Sequence, residues 1–451
     1  MATFVPYNRD QAFLLPPDLK AWLPEDDLAH FVIGAVERRP LGTFSTNARP
    51  SGKPQYDPRL MLALLVYAYA NGIFSSRRIE RATYRDIGVR FVAANTHPDH
   101  DTIAAFRRAN KAAFETAFLQ VLLIAREAGL LRLGLVAIDG TKIDANASRI
   151  RSVRYDRAQA LRQKLAEDIA ALTAQAEAAD AADAPDPQAL PERIARRERL
   201  KAQLDAACAR LEAAAQREAE AARAGATAKQ AEWDAKTGRR GCRPKSPPDD
   251  PPAPAPTRQS NLTDPDSAPM RRSDAHEYRQ AYNAQAVVSA DGTQLILATD
   301  LVASTADAPG FANIILAMEK TCGLPQTVLA DAGYASGDAV AKLQERGVEA
   351  LVAIGRTQPR RPYDFRPPPD PKAARQINEP WRIAMQAKLD TNDGKARYAQ
   401  RQQSVEPVFG IIKSAMGFVR FRLRGLNNVA SEWLLTALAY NCRRLHRLKQ
   451  A

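Results

Sequence analysis

The sequence predicts a protein of the α/β class. The first 130 residues show helical apolar spacing between cap residues, and residues 327–354 read as a strand, a helix and a second strand. Two stretches within residues 151–258 repeat an apolar residue every three or four positions, as in a pair of long helices. With 451 residues, of which 45% are hydrophobic, the chain is long enough for two or three domains.

The balance of charges indicates a polyanionic partner. The chain has 64 Lys and Arg residues against 51 Asp and Glu residues, which gives a net charge of +13. A strongly basic protein is expected to bind a polyanion, of which nucleic acid is the usual one. A merely basic enzyme has the same composition, so the charge alone leaves that alternative open.

The cysteines and the N-terminus bear on the compartment. The four cysteines lie far apart and form no C-x-x-C pair, which argues against a zinc ribbon and a disulfide framework and fits a reducing compartment. The N-terminus lacks a basic start followed by an apolar segment, so no signal peptide is expected. The longest apolar run, residues 60–70, is too short to cross a bilayer. We therefore expect a cytoplasmic protein without a membrane partner.

The helices of the first region are predicted from their caps. Asp57 precedes a proline and predicts a helix start, and Gly72 predicts the end of that helix. A second helix is predicted over residues 76–88. Asp101 is predicted to cap one long helix that ends at Gly129.

This first region is a candidate for DNA binding. Short helices joined by tight turns, with arginines on their exposed faces, resemble helix-turn-helix DNA readers. Arginine is also an ordinary residue of helix surfaces, so a solvated basic face is the alternative. We predict a helical N-terminal DNA-binding domain over residues 1–130. Its candidate DNA-binding residues are Arg77, Arg78, Arg107 and Arg108.

A carboxylate follows the first predicted strand, within residues 131–150. The continuous apolar run 135–138 is typical of a strand that is buried on both faces, and it is followed by Asp139 and Gly140. A carboxylate at the tip of a buried strand is costly unless it is solvated, paired or metal-bound. Asp144 is a second acid nearby, and we interpret it as structural or at most supporting.

Residues 151–258 differ from the rest in composition. Apolar residues recur at helical spacing in two segments that are separated by prolines: Leu161, Leu165, Ile169 and Leu172, then Leu200, Leu204, Cys208 and Leu211. This pattern predicts an antiparallel helical hairpin with a narrow apolar seam, followed by an extended Pro-rich linker. One interpretation is an inserted arm that grips DNA or a second subunit. The other is a spacer without chemistry.

Residues 259–425 return to an α/β pattern. Residues 282–289 and 293–299 read as two strands of a hairpin with an Ala-Asp-Gly turn. The apolar run 327–330 is predicted to be a strand that places Asp331 at its carboxyl end. A helix capped by Ser336 and a parallel strand follow, and ligand sites of such units lie beyond the carboxyl ends of the strands.

The segment 398–413, YAQRQQSVEPVFGIIK, predicts a helix with one charged wall. Tyr398, Arg401, Glu406 and Lys413 recur along that wall, while apolar residues supply the other side. An amphipathic helix with a solvated charged face is the alternative interpretation. The two carboxylates that follow predicted strands favour a shared site with Glu406.

The last part of the chain is basic. Arginines alternate with apolar residues in an extended pattern, which makes Arg420, Arg422 and Arg424 candidate DNA-binding residues. A basic helix is predicted over residues 426–451.

Three short motifs resemble those of a known family. They are Ile138-Asp139-Gly140, Leu329-Ala330-Asp331-Ala332-Gly333-Tyr334, and Tyr398-(2)-Arg401-(4)-Glu406-(6)-Lys413. In this order they resemble the three acidic motifs of DDE-type insertion-sequence transposases, and among these the IS eleven-eighty-two group. Four residues separate Arg401 from Glu406, where the family has three, and Gln402 would occupy the shorter spacing.

The resemblance implies a fold and a chemistry. The fold is an RNase H-like catalytic core with the helical arm inserted between its first two strands. Asp139, Asp331 and Glu406 would be the catalytic residues and would hold Mg²⁺, or else Mn²⁺, because two divalent cations assist phosphodiester cleavage and transfer. Arg401 and Lys413 would hold DNA phosphate, and Tyr398 would position the strand near the cut.

The resemblance also implies partners. They are double-stranded DNA, as the terminal inverted repeats of the element and as target DNA, and at least a second copy of the chain in the DNA complex. Three alternatives stay open at this point. They are a stand-alone nuclease with the same site, a decayed relative that only binds DNA, and an unrelated basic α/β enzyme.

Overall fold

The structure is a computed structural model that describes residues 18–37, 44–45, 55–181, 189–235, 242–245, 253–271, 277–303, 310–355 and 379–450. The chain divides into two compact units. The first combines residues 1–143 with residues 282–451, and the second consists of residues 144–281. The second unit includes more residues at both ends than the predicted insertion 151–258. In the described residues, no helix combines the length and the apolar character that a membrane crossing needs.

The first unit begins with helices. In the described residues these are α1 (Leu28–Glu37), α2 (Pro58–Ala70), α3 (Ser76–Arg85), α4 (Ile87–Val92), α5 (His100–Ala109) and α6 (Lys111–Glu127). Helix α2 starts as predicted, with the side chain of Asp57 accepting a hydrogen bond from the backbone N–H of Arg59. The turn after α6 contains Gly129 with a positive φ of 69°, which confirms the predicted end.

Two predicted helices are each divided in two. The side chain of Asp86 caps α4 through the N–H of Val89 and so ends α3 before it. Asn110 separates α5 from α6: its side-chain amide donates to the carbonyl of Phe106 and its side-chain oxygen accepts from the N–H of Ser45. The predictions of single helices over 76–88 and 102–129 were wrong because polar side chains take over backbone groups at these two positions.

The strands follow the helical region. In the described residues they are β1 (Leu135–Asp144), β2 (Ser152–Arg154), β3 (Gln259–Asn261), β4 (Ala268–Arg271), β5 (Tyr278–Ser289), β6 (Ile296–Val302), β7 (Thr327–Ala330) and β8 (Glu349–Val352). The remaining helices are α7 (Tyr155–Ala181), α8 (Ala189–Ala235), α9 (Phe311–Ala317), α10 (Gly337–Glu345), α11 (Pro380–Asp390), α12 (Asn392–Gly410) and α13 (Leu426–Gln450).

The sheet of the first unit is mixed. Strand β1 pairs in parallel with β7, and β7 pairs in parallel with β8. On its other side β1 adjoins β5, which pairs antiparallel with β6, so the order is β6-β5-β1-β7-β8. Backbone hydrogen bonds from Ala290 N to Leu135 O and from Ala145 N to Gln280 O show that β5 is antiparallel to β1. The first residues of β5, 278–281, belong to the second unit and pair with β4.

The last helix is built into the core of the first unit. Helix α13 packs against β6, α2 and α6, and most of its residues from 431 to 442 are buried. Trp433 Nε1 donates to the carbonyl of Gln285, and the side chain of Asn441 pairs with both the N–H and the carbonyl of Ile296. These bonds to strand backbone explain why a helix that ends in basic residues is also a core element.

The second unit contains the helical hairpin. Helices α7 and α8 pack against each other, and the seam predicted from the sequence is confirmed. Its core consists of Val153, Tyr155, Ala158, Leu165, Leu204, Cys208 and Leu211, with Leu161 and Leu200 packed against it. Helix α8 has 47 residues and α7 has 27, so α8 is longer by about 30 Å. Arg258 forms a two-fold hydrogen-bonded ion pair with Glu218 of α8.

Candidate active site

Two carboxylates lie at the same edge of the sheet. Strand β1 runs parallel to β7 with Ala137 opposite Leu329, and Asp139 and Asp331 each follow two residues later. The prediction that the first strand ends at Asp139 was wrong, because β1 continues to Asp144 beside β5. Asp139 nevertheless lies where its parallel neighbour β7 ends. Asp144 forms an ion pair with Arg279 at 3.3 Å within the second unit.

Backbone groups orient both carboxylates. Asp139 Oδ1 accepts a hydrogen bond of 2.8 Å from the N–H of Gly140. Asp331 Oδ1 accepts one of 2.9 Å from the N–H of Gly333 and thereby caps the short 3-10 turn Ala332–Tyr334. A Cβ atom at position 140 would clash with Asn283 Oδ1, so a larger residue beside Asp139 would require the Asn283 side chain to move.

Helix α12 supplies the third carboxylate, Glu406. Pro407 has no N–H to donate to the carbonyl of Gln403, and Gln294 Nε2 donates to that carbonyl instead at 2.9 Å. The helix therefore continues through the proline, and one π-helical turn, Ile411–Ala415, carries Lys413. The four residues of the predicted charged wall thus belong to one continuous helical segment.

Arg401 joins the three carboxylates. Its Nη2 lies 3.1 Å from Asp139 Oδ2 and 3.7 Å from Asp331 Oδ2, and its Nη1 lies 3.8 Å from Glu406 Oε1. The side chain of Arg401 is 11% exposed, whereas that of Glu406 is 57% exposed. Arg401, and not the exposed Gln402, therefore faces the carboxylates, in spite of the four-residue spacing.

Tyr398 fixes α12 to the strand that leads to Asp331. Its hydroxyl donates to the carbonyl of Ala330 at 3.2 Å. Burial raises the pKa of Tyr398, and the neighbouring Asp331 and Asp139 raise it further, while Arg401 opposes the rise. The phenol therefore stays protonated and remains a donor at neutral pH.

A second contact of α12 was missed from the sequence. Arg397 hydrogen-bonds to Thr327 and lies 2.9 Å from Glu349, at the first residues of β7 and β8. Lys388 of α11 approaches the same carboxylate to 3.6 Å. Tyr398 and Arg397 thus hold α12 against both ends of β7. No local signal distinguishes Arg397 from other helix-surface arginines.

Comparisons with protein families now bear on this geometry. Residues 251–442 match the family described as "Transposase DDE domain", and residues 17–109 match "Transposase domain (DUF772)". These matches support a DDE-type transposase. No curated protein and no solved structure matches the chain. Asp331, Glu406 and Arg401 lie inside the first matched range, while Asp139 and helices α7 and α8 lie outside both ranges.

The structure does not support Arg107 as a DNA contact. Its side chain is buried, and its Nη1 donates to the hydroxyl of Tyr69 and to the carbonyl of Phe74, each at 2.9 Å. The prediction of an exposed Arg107 was wrong, because this residue follows the buried Ile103 by one helical turn and shares its face. That spacing was a signal in the sequence.

The other predicted basic residues are nearer the protein surface. Arg77 and Arg78 are exposed at the start of α3, and Arg108 is exposed near the end of α5. Lys413 is half-buried on the π-helical turn. Exposed arginines also follow this turn: Arg420, Arg422 and Arg424.

The three carboxylates of the candidate site are not arranged around a metal-sized space. In the part of the chain that the structure describes, no group of three or more His, Cys, Asp or Glu side chains is arranged to hold a metal ion. The positive charge among the three carboxylates is the guanidinium of Arg401. The three carboxylates therefore already interact with one cationic group, the guanidinium of Arg401.

Proposed function

We propose that this transposase cleaves DNA at the ends of a bacterial insertion sequence and transfers the cut strands to target DNA. The observation that carries the proposal is the meeting of three carboxylates from distant parts of the chain. Asp139, Asp331 and Glu406 come from two neighbouring parallel strands and one helix, and all three lie within 4 Å of Arg401. We propose these three as the catalytic residues.

We also propose that the sheet is an RNase H-like core. The strand order supports this proposal, because three strands in antiparallel succession, β1, β5 and β6, are followed by the two parallel strands β7 and β8. The second compact unit is inserted between β1 and most of β5, the first two strands of this core. The same insertion point is implied by the sequence motifs.

The three carboxylates are chemically suited to bind a divalent cation. Asp139, Asp331 and Glu406 offer hard oxygen ligands of the kind that Mg²⁺ and Mn²⁺ bind, and together they exceed the positive charge of Arg401. We propose that they hold the metal ions. When bound, two such ions supply activation of the attacking oxygen and stabilisation of the leaving oxygen.

The residues around the carboxylates are proposed to hold the DNA strand. Arg401 is proposed as a phosphate contact because its guanidinium lies among the three carboxylates beside which the DNA strand would bind. Lys413 is proposed as a second phosphate contact, and Tyr398 as the residue that positions the strand beside β7. Further phosphate contacts are proposed for Arg77, Arg78, Arg108, Arg420, Arg422 and Arg424.

The inserted arm has a different charge balance. Helices α7 and α8 carry nearly equal numbers of basic and acidic residues, so they do not share the positive excess of the whole chain. This balance favours contact with a second copy of the chain over a grip on DNA. Joining two element ends requires both ends in one assembly, and we propose at least a dimer in the DNA complex.

A cleavage assay tests the proposed function. The substrate is double-stranded DNA that carries the genomic sequences flanking this gene, with Mg²⁺ or Mn²⁺ and with EDTA as the metal-free comparison. Wild type is expected to cut at the element ends only with metal, and Glu406→Gln and Asp139→Asn are expected to bind the same DNA without cutting it. Asp338→Asn, which removes an exposed carboxylate from α10, is the matched control and should cut normally.

The outcomes separate the alternatives. Cuts without joining to a second DNA molecule would indicate a nuclease. Tight DNA binding without metal-dependent cuts would indicate a DNA-binding relative that has lost catalysis. Equal loss of binding and cutting in Asp139→Asn would contradict the assignment of this site.

A further inference from the structure

A basic segment follows the helix that carries Glu406. We define it as residues 418–424, in which exposed arginines alternate with buried side chains from residue 420 onwards. The exposed arginines are Arg420, Arg422 and Arg424, the buried residues are Phe418, Phe421 and Leu423, and Val419 is exposed as well. A bend at residues 422–423 lies between the second and third arginines, so the three guanidinium groups form a compact basic cluster within five residues of the chain. Such a cluster of like charges suits the phosphate backbone of nucleic acid.

A buried carboxylate holds the backbone of this segment. Glu432 of α13 is 0% exposed, and its Oε2 accepts hydrogen bonds from the N–H groups of Arg422 at 2.8 Å and of Leu423 at 2.9 Å. Hydrogen bonds to a charged acceptor are stronger than those to a neutral one. Glu432 therefore fixes the backbone at Arg422, the central arginine of the segment.

Two residues of the N-terminal helices balance the buried charge. The hydroxyl of Tyr69 donates to Glu432 Oε1 at 2.9 Å, and Arg107 Nη1 lies 3.9 Å from the same oxygen. Burial raises the pKa of Tyr69 well above its usual range, and the charge of Glu432 raises it further. The phenol therefore stays a donor. A buried carboxylate without such partners would be strongly destabilising.

Aromatic packing joins the same two regions. Phe418 packs edge-to-face on Phe74, with ring centroids 5.0 Å apart, and on Phe421 at 5.4 Å. A Cβ atom at position 72 would lie 2.8 Å from the carbonyl oxygen of Met416, so Gly72 allows the turn after α2 to approach the chain just before the segment. The basic segment thus rests on the turn between α2 and α3.

We propose that Glu432 is a positioning residue that holds the basic segment as a preformed set of DNA-phosphate contacts. Its partners Tyr69 and Arg107 tie that set to the N-terminal helices. This inference rests on the proposed function, because it requires that the transposase binds DNA through Arg420, Arg422 and Arg424. Pre-organisation lowers the entropy that the segment loses on binding.

The test compares DNA binding and hydrogen exchange in full-length variants. Glu432→Gln keeps the shape of the side chain but has one acceptor oxygen, which cannot serve both the two backbone N–H groups and Tyr69. We expect faster amide exchange in a peptide covering residues 418–424 and about tenfold weaker binding to duplex DNA. The slope of log K against log salt should fall by about 0.9 for each phosphate group that the variant leaves unneutralised.

Tyr69→Phe is the matched control. It removes the hydroxyl between Arg107 and Glu432 but leaves the bonds from Glu432 Oε2 to the segment. We expect a lower Tm with unchanged exchange in residues 418–424 and an unchanged salt slope. If Glu432 had only a general structural role, the two variants would change the salt slope alike, and that result would overturn the proposal.

A second variant covers the case in which Glu432→Gln does not fold. The triple change Tyr69→Phe, Arg107→Met and Glu432→Met replaces the buried polar cluster by apolar groups, which is often neutral for stability. It still removes the acceptor of the two backbone N–H groups. Normal exchange and a normal salt slope in this variant would contradict the role of Glu432.

Failure of the proposed function is recognised separately. Arg422→Ala leaves the backbone N–H groups and Glu432 in place and removes one predicted phosphate contact. If Arg422→Ala binds DNA as wild type does, the DNA role of the segment is wrong, whatever Glu432→Gln does to hydrogen exchange. If Arg422→Ala weakens binding and a folded Glu432→Gln does not, the positioning role alone is wrong.

Discussion

Two arginine–carboxylate clusters in the same compact unit differ in balance and exposure. At the candidate active site one guanidinium, Arg401, faces three carboxylates, and the Glu406 side chain is 57% exposed. In the interior one guanidinium, Arg107, faces one carboxylate, and Glu432 is fully buried. The buried cluster also has further donors, namely Tyr69 and the N–H groups of Arg422 and Leu423.

The difference separates the fully buried cluster from the proposed catalytic cluster. A buried pair is tolerated when its charges cancel and its lone pairs are satisfied. The cluster around Arg401 has an excess of negative charge that the solvation of Glu406 makes tolerable, and an excess of that kind is suited to cations that arrive from solution. Charge imbalance together with solvent access is therefore the feature that distinguishes the proposed catalytic cluster.

The largest expected effect is on chemistry at the unbalanced cluster. Asp331→Asn is expected to lower the rate of DNA cleavage on the order of a thousandfold or more, because it removes one ligand charge from the proposed metal site. Its binding to DNA should change little. Cleavage rates and filter binding on the same duplex check this. A cleavage rate within tenfold of wild type would contradict the proposed catalytic role of Asp331.

The next largest effect is on stability at the balanced cluster. Glu432→Ala leaves Arg107 buried without its counter-charge and removes the acceptor of two backbone N–H groups, so we expect a loss of about 3–5 kcal/mol in the free energy of unfolding. Denaturant unfolding measures it. Glu406→Ala is the counterpart at the exposed cluster and should cost less than about 1 kcal/mol. Similar losses of unfolding free energy in Glu432→Ala and Glu406→Ala would contradict the proposed difference between the buried and the exposed cluster.

The residues of the proposed catalytic cluster were easier to find from the sequence than those of the buried cluster. Asp139 and Asp331 were found because short apolar runs precede them, and Glu406 because it lies in a spaced helical motif. These are local signals, and the fold only had to bring the segments together. The parallel strands and the helical hairpin were predicted for the same reason, since their apolar periodicity is local.

The remainder depends on contacts between distant residues. Glu432 lies in a helix that is buried on nearly all sides from 431 to 442, so no face of α13 marks it as special. The break between α5 and α6 depends on Asn110, whose partner Ser45 is distant in the chain. The contact between Arg401 and three carboxylates arises only when β1, β7 and α12 have assembled. Local patterns carry none of this information.

A smaller effect is expected on cation binding at the unbalanced cluster. Arg401→Gln removes the guanidinium charge that lies among the three carboxylates. We expect Mn²⁺ to bind to the DNA-free protein more tightly by about 2 kcal/mol, or roughly thirtyfold, because a unit charge and a doubly charged ion about 4 Å apart repel each other by about that much in a solvated site. Titration calorimetry measures it. Unchanged or weaker Mn²⁺ binding would show that the guanidinium does not compete with the metal.

The smallest effect is expected at a third pair, Arg397 and Glu349, which is balanced like the buried cluster but partly exposed. Burial raises the pKa of Glu349, but Arg397 and Lys388 outweigh it and hold the pKa below its ordinary value of 4.5. A carboxyl group with a lowered folded-state pKa contributes stability above its ordinary pKa, and that contribution is lost as the pH falls through the lowered value.

The pair therefore predicts a pH-dependent difference. Because Glu349 is 35% exposed, the pair should contribute only about 0.5 kcal/mol. Arg397→Met should be less stable than wild type by about this amount at pH 7, and the difference should shrink below about pH 4. Unfolding of Arg397→Met, Glu349→Gln and the double variant at both pH values gives the coupling energy. A coupling energy that stays the same at low pH would show that Arg397 holds α12 by packing and by Thr327, not by charge.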